Sequence, residues 1–217
     1  MSSCINSNKK VVFLGDSITQ NAVINSDEFK GFISLIGEEV DQNTELIGKG
    51  ISGDKVSDLL TRYRDDVIKL NPDIVFIYIG VNDVWHKYDY GTGTDIDLYE
   101  NGLRQIISDL KENSVKVILC TPTVIGENKG DFTLINQFKD IETMEIMNND
   151  LDKYSDVIRK LSLEFDTELL DLRKIFMQYI SENNPENKSK GILTTDGVHL
   201  NIKGSKIIAN EMIKFLN

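Results

Sequence analysis

Short apolar runs alternate along the chain with longer stretches of helical periodicity. Residues 10–14 carry a continuous apolar run, Val11-Val12-Phe13-Leu14, that stops at Gly15-Asp16 and predicts a buried strand. Over 28–40, Phe29, Phe32, Ile33, Ile36 and Val40 share one face at helical spacing. A short second strand is expected at 45–48. In 54–70, Val56, Leu59, Leu60, Tyr63, Val67 and Leu70 stay in helical register until Pro72 breaks the chain. Residues 73–79 read as a strand, apolar without a break after Asp73 and suited to the middle of a sheet. The pattern then predicts a helix over 98–113, a strand over 115–120 stopped by Pro122, a long helix over 141–165, a short strand over 168–170 and a closing helix over 205–216.

Strands separated by helices argue for a parallel sheet covered on both faces. The expected fold is therefore α/β, a three-layer α/β/α sandwich with a flavodoxin-like five-stranded parallel sheet. No internal repeat, low-complexity tract or linker divides the chain, so residues 10–217 are expected to be one domain behind a flexible tail at 1–9. Two segments, 85–94 and 123–140, break the alternation, and both follow strand ends. Loops at the carboxyl edge of a parallel sheet tend to form the binding face.

Composition narrows the classes of partner. The 217 residues suffice for a substantial core, and 40% hydrophobic with 27% charged residues fits a globular rather than a disordered chain. The formal charge of −11 disfavours nucleic acid and anionic membrane surfaces, which repel net negative charge. No stretch approaches the ~18 apolar residues of a membrane helix. The first residues lack the apolar core of a signal peptide, so the expected location is cytoplasmic, with a secreted or periplasmic parent whose signal was removed as the alternative. Cys4, in a polar stretch, and Cys120, ending an apolar run, read as a free thiol and a buried small hydrophobe.

The chemistry starts at Ser17, directly after the first strand. A serine there can be a nucleophile only with a base beside it. The chain has two histidines, His86 and His199. Asp196 stands three residues before His199, close enough to accept from Nδ1–H and leave Nε2 free for a serine proton. The same spacing also fits a helix-capping aspartate next to a surface histidine. Gly48-Lys49-Gly50-Ile51-Ser52-Gly53-Asp54 follows the second strand and Gly80-Val81-Asn82-Asp83 the third. Glycines at these strand ends serve as turn residues, or let backbone N–H groups reach an oxyanion that the Asn82 amide could also bind.

Taken in order, these segments resemble the SGNH hydrolases, also called the GDSL esterase/lipase family. Gly15-Asp16-Ser17-Ile18 stands for its first block, Ser52-Gly53-Asp54 for the second, Gly80-Val81-Asn82-Asp83 for the third and Asp196-Gly197-Val198-His199 for the last. The stretch 80–86 resembles the bacterial single-domain esterases of the family. One departure is Gly48, near the place where the second block often has an asparagine. The resemblance implies Ser17 as nucleophile, His199 as general base and then acid, and Asp196 as the residue that orients it. It implies an oxyanion hole of the Ser17 and Gly53 backbone N–H groups and the Asn82 side chain. The implied activity is that of a serine esterase working through an acyl-enzyme, with no cofactor.

Other residues carry weaker signals. Asp16 reads as a turn-holding residue, Asp54 as a helix N-cap and Asp83 as a bond to neighbouring turns. Trp85, His86 and Tyr88 are candidate substrate contacts. The two larger rings could stack on a sugar, line an acyl pocket or pack beneath the loop, and His86 could equally be a surface residue. Neither the histidines nor the cysteines have metal-ligand spacing, and no phosphate-binding glycine pattern occurs. Asp65-Asp66 and 182–190 read as solvated surface. The polar and aromatic 85–94 segment, with no long apolar lid, favours a short acyl group such as acetyl on a small-molecule or carbohydrate ester. A lipase or thioesterase for longer chains, and a non-catalytic binding module of the same fold, are the alternatives.

Overall fold

The computed structural model describes residues 8–127 and 141–216. The five expected strands form: β1 (Lys9–Gly15), β2 (Thr44–Gly50), β3 (Ile74–Tyr78), β4 (Lys116–Cys120) and β5 (Glu168–Leu170). They make one parallel sheet in the order β2-β1-β3-β4-β5. This is the three-layer, flavodoxin-like arrangement. The chain leaves β1 for β2 on one side and returns to place β3 on the other. The order therefore reverses at β1, and the crevice outside the carboxyl ends of β1 and β3 is where such sheets bind ligands.

Alternation along the strands assigns the two faces. Phe13 of β1 stacks on Phe76 of β3 with centroids 5.1 Å apart. Phe13 meets Phe32 of α2 (Phe32–Glu39) edge-on, and Phe76 meets Phe215, just past α8 (Ile202–Ile213), in the same way. Val12, Leu14, Val75 and Ile77 point to the opposite layer. There α3 (Val56–Asp66) packs on α5 (Ile96–Glu112), and α5 on α6 (Ile141–Glu164). No helix among the described residues is long and apolar enough to cross a membrane.

Three helices have no counterpart in the predicted pattern: α1 (Ser17–Asn21), α4 (Val81–Asp89) and α7 (Leu172–Asn183). α4 occupies the start of the expected 85–94 loop. Of the other irregular segment, 128–140 lie outside the described residues. The helix expected over 28–40 begins only at Phe32, because 22–31 fold back on themselves. Gly31 N–H donates to Ile24 O at 2.9 Å, and Ser26 N–H donates to Phe29 O at 3.0 Å. A side chain at Gly31 would meet the Ala22 carbonyl at 2.3 Å, so the loop needs glycine there. The helix expected over 54–70 stops at Asp66 and continues as a 3₁₀ turn, Ile68–Leu70, closed by left-handed Asn71. Within 182–190, Asn184 and Ser189 are buried rather than solvated, and Asn184 Nδ2 donates to Lys188 O at 2.7 Å.

Candidate active site

At the end of β1 the Asp16 carboxylate accepts the Ile18 N–H at 2.9 Å and caps α1. Ser17 thereby becomes the first residue of that helix, at the carboxyl edge of the sheet. The expected turn-holding role of Asp16 is thus seen. Burial pushes the Asp16 carboxyl up to about 7, against the Ile18 hydrogen bond and the attraction of His199.

Ser17, His199 and Asp196 meet in one line although 182 residues separate the first two. His199 Nε2 lies 2.9 Å from Ser17 Oγ, and His199 Nδ1 lies 2.7 Å from Asp196 Oδ2. Asp196 Oδ1 accepts the backbone N–H of Val198 at 2.9 Å and of His199 at 2.7 Å. Burial works against the Asp196 charge, but the His199 ring and those two amides outweigh it and hold the carboxyl down at about 2. An ionised carboxylate only accepts, so Nδ1 carries the ring proton and Nε2 is left to accept from the Ser17 hydroxyl. The hydrogen bond to Asp196 raises the His199 pKa, burial opposes it, and the Asp196 and Asp16 charges add to the rise. Asp196 does not cap a helix; Asn201 caps α8 by accepting the Gly204 N–H.

The loop carrying Asp196 and His199 is clamped from beneath by Glu127, which is only 3% exposed. Its carboxylate accepts the backbone N–H groups of Ile192 (2.7 Å), Leu193 (2.5 Å) and Thr194 (2.5 Å) and the Thr194 hydroxyl (2.8 Å). Gly126 N–H donates to Gly197 O at 2.8 Å. No sequence signal marked Glu127, since nothing in a single glutamate reveals partners 65 residues away.

The segments that carry the candidate oxyanion donors are tied together by hydrogen bonds. Gly53 adopts φ +84°, which an L side chain resists. Neither its N–H nor that of Ser17 donates to an acceptor among the described residues. Asn82, near the start of α4, donates through Nδ2 to Asp54 O at 3.0 Å. An amide nitrogen carries two hydrogens, so one remains for another acceptor. Ile51 N–H donates to Gly15 O, and Ser52 N–H to Gln20 Oε1 at 2.7 Å, tying this turn to the Ser17 segment.

Arg62 completes that tie from α3. Its guanidinium donates to Gly15 O (2.9 Å), Lys49 O (3.1 Å), Asp54 Oδ2 (2.7 Å) and Asp66 Oδ2 (2.7 Å). Asp54 is therefore an ion-pair partner and not the expected N-cap. The N-cap is Lys55, and the first helical N–H, of Val56, goes to the Asp83 carboxylate at 3.0 Å. Burial raises Asp83 to about 6, against hydrogen bonds from Thr94 and Val56.

Trp85, His86 and Tyr88 lie on α4 rather than on a loop. Trp85 is part of the core, and the Tyr88 hydroxyl donates to Asp150 Oδ2 at 2.8 Å. The His86 ring meets Tyr90 edge-on at 5.0 Å, and burial lowers its pKa. None of the three lines the cavity of about 670 Å³ beside His199, whose walls include Asn21, Phe29 and Lys203. Among the described residues no cluster of His, Cys, Asp and Glu side chains is grouped to hold a metal ion.

Comparison with known proteins agrees with this geometry. The model of the GDSL-like lipase/acylhydrolase family matches residues 13–207. An acetylxylan esterase of Geobacillus stearothermophilus is 28% identical, over 97% of this chain and 94% of that protein. An isoamyl acetate-hydrolyzing esterase of Saccharomyces cerevisiae is 23% identical, over 96% of this chain and 86% of that protein. The crystal structure of the acetyl xylan esterase AlAXEase superposes with a TM-score of 0.82 at 43% identity, over 96% of this chain and 100% of that one. Structures described as catalytic mutants of the Geobacillus enzyme replace a serine, a histidine and an aspartate, the last two spaced as His199 and Asp196 are. With the family match spanning nearly the whole sheet, the chain belongs to the GDSL-like lipase/acylhydrolase family and is a carboxylic ester hydrolase with a Ser-His-Asp triad.

Proposed function

We propose that this enzyme removes short acyl groups, acetyl above all, from carbohydrate esters, with Ser17 as nucleophile. The observation that carries the assignment is the continuous line from Ser17 Oγ through His199 to Asp196 at 2.9 and 2.7 Å. Ser17 Oγ attacks the ester carbonyl carbon while its proton passes to His199 Nε2. The carbonyl electron pair moves to oxygen, and the Ser17 N–H, the Gly53 N–H and the Asn82 amide donate hydrogen bonds to the resulting oxyanion. Each such donor is worth roughly 10²–10³-fold in kcat in serine hydrolases. The tetrahedral species collapses, the bond to the alcohol oxygen breaks, and His199 returns its proton to that oxygen. Water then attacks the acyl carbon as His199 takes its proton, the bond to Ser17 Oγ breaks, and His199 returns the proton to that oxygen, which releases the acid and restores Ser17 and neutral His199.

The acetyl and carbohydrate parts of the reading rest on the acetylxylan esterases that this chain resembles at 28% and 43% identity. Ser17→Ala should abolish hydrolysis of p-nitrophenyl acetate while the thermal transition stays. A series of p-nitrophenyl esters should show rates falling as the acyl chain lengthens beyond acetate. A maximum at long chains would instead support the lipase or thioesterase alternative.

A further inference from the structure

We infer that the cavity beside His199 holds the alcohol half of the ester, and that Phe29 is the platform on which a sugar ring of that alcohol packs. The inference rests on the proposed roles of Ser17 and His199. In that chemistry His199 Nε2 must protonate the departing oxygen, so the alcohol leaves from the side of the histidine. The cavity of about 670 Å³ is walled by His199, whereas Ser17, Gly53 and Asn82 do not line it. That volume lies within the roughly 300–1,000 Å³ of small-molecule sites and far exceeds an acetyl group.

The lining suits a neutral polyol. Phe29 contributes the aromatic ring, and Ile24 and Ile202 beside it leave 41% and 42% of their surface exposed, an apolar floor for the C–H face of a sugar. Asn21, Glu28 and Lys203 add donors and acceptors, and the two charges are of opposite sign. The platform is fixed in place. Phe29 N–H donates to Ser26 Oγ at 3.1 Å, its carbonyl accepts Ser26 N–H, and Ser34 Oγ donates to Val23 O at 3.0 Å. Helical periodicity had assigned Phe29 to a core face; the turn at Gly31 moves it to the cavity wall.

The test compares kcat/KM for acetylated xylobiose with that for methyl acetate, whose alcohol is too small to reach Phe29. In Phe29→Ala the ratio of the two should fall by about tenfold or more, through KM of the sugar ester. Phe29→Tyr should restore most of it. Ile202→Trp, which fills the cavity from α8, should lower the same ratio, so a Phe29→Ala protein that does not fold still leaves a decision. An unchanged ratio in either folded variant would overturn the inference, as would a change in acyl-chain preference in place of alcohol preference. Failure of the underlying reading looks different: the wild type would then hydrolyse methyl acetate without dependence on Ser17.

Discussion

The Glu127 carboxylate accepts both the backbone N–H and the hydroxyl of Thr194, at 2.5 and 2.8 Å, two residues before the triad aspartate. Two further amides share it, so a buried charge is compensated by four donors. Gln in its place offers an NH₂ group to donors and leaves at least one unsatisfied. Glu127→Gln should lower kcat by roughly 10–100-fold, the scale of a misplacement of about 1 Å. It should also slow fluorophosphonate labelling and displace the acidic limb of the pH–rate profile. A fall in melting temperature alone, with labelling rate and pH profile unchanged, would reduce Glu127 to a stabilising role.

Arg62 joins Gly15 O, next to the nucleophile segment, to Lys49 O and Asp54 on the Gly53 turn. Arg62→Met removes these bonds and strands Asp54, a largely buried carboxylate. The expected loss of stability is about 2–3 kcal/mol, somewhat below that of a fully buried pair. A larger effect on kcat than on KM should accompany it, because the Ser17 and Gly53 N–H groups lose their common reference. Arg62→Lys should not rescue, since an ammonium cannot span four acceptors of this geometry. Urea denaturation and steady-state kinetics check both points.

Activity requires neutral His199, whose pKa is raised by its bond to Asp196. kcat/KM should therefore fall as pH drops through a value above the ordinary 6.5 of histidine. Asp196→Asn removes the cause of the rise and frees the wrong tautomer. Its acidic limb should move down, and kcat should fall by about 10⁴-fold. A pH–rate profile of both proteins measures the two effects.

Asp16 has a carboxyl raised by burial to about 7, against 3.8 unfolded. The native state then binds the proton more tightly than the unfolded chain, so this group makes stability fall as pH climbs from about 4 to 7. Asp16→Asn keeps a capping side chain without the titration. The variant should match the wild type near pH 4 and be more stable near pH 8, on the order of 2–4 kcal/mol by the measured pH dependence of unfolding.

The strands were legible because they depend on local pattern, whereas Ser17 and His199, 182 residues apart, were joined only by the order of the family blocks. Val11-Val12-Phe13-Leu14 ends at a capping aspartate, and Asp196 and His199 lie within one turn of each other. The oxyanion roles proposed for Gly53 and Asn82 come from the family blocks and not from local pattern. Features set by distant partners were not. The Glu127 clamp and the Asp83–Val56 cap join segments far apart in sequence, and Arg62 looks like any basic residue on α3. Phe29 kept perfect helical spacing, yet close approach of Gly31 to Ala22 took it out of the helix. The reverse error occurred at α7, where Leu172, Phe176 and Ile180 are buried at helical spacing and no helix was expected. Trp85 and Tyr88 looked like loop aromatics because the helix begun at Val81 carries no strong start signal beyond Gly80.

The central claim is that Ser17 is the residue that forms the acyl-enzyme. Mass spectrometry of peptides from enzyme treated with a fluorophosphonate tests it most directly. The adduct should map to the peptide carrying Ser17, be absent in Ser17→Ala and form far more slowly in His199→Ala. An adduct on another residue, or an active enzyme that takes up none, would contradict the account.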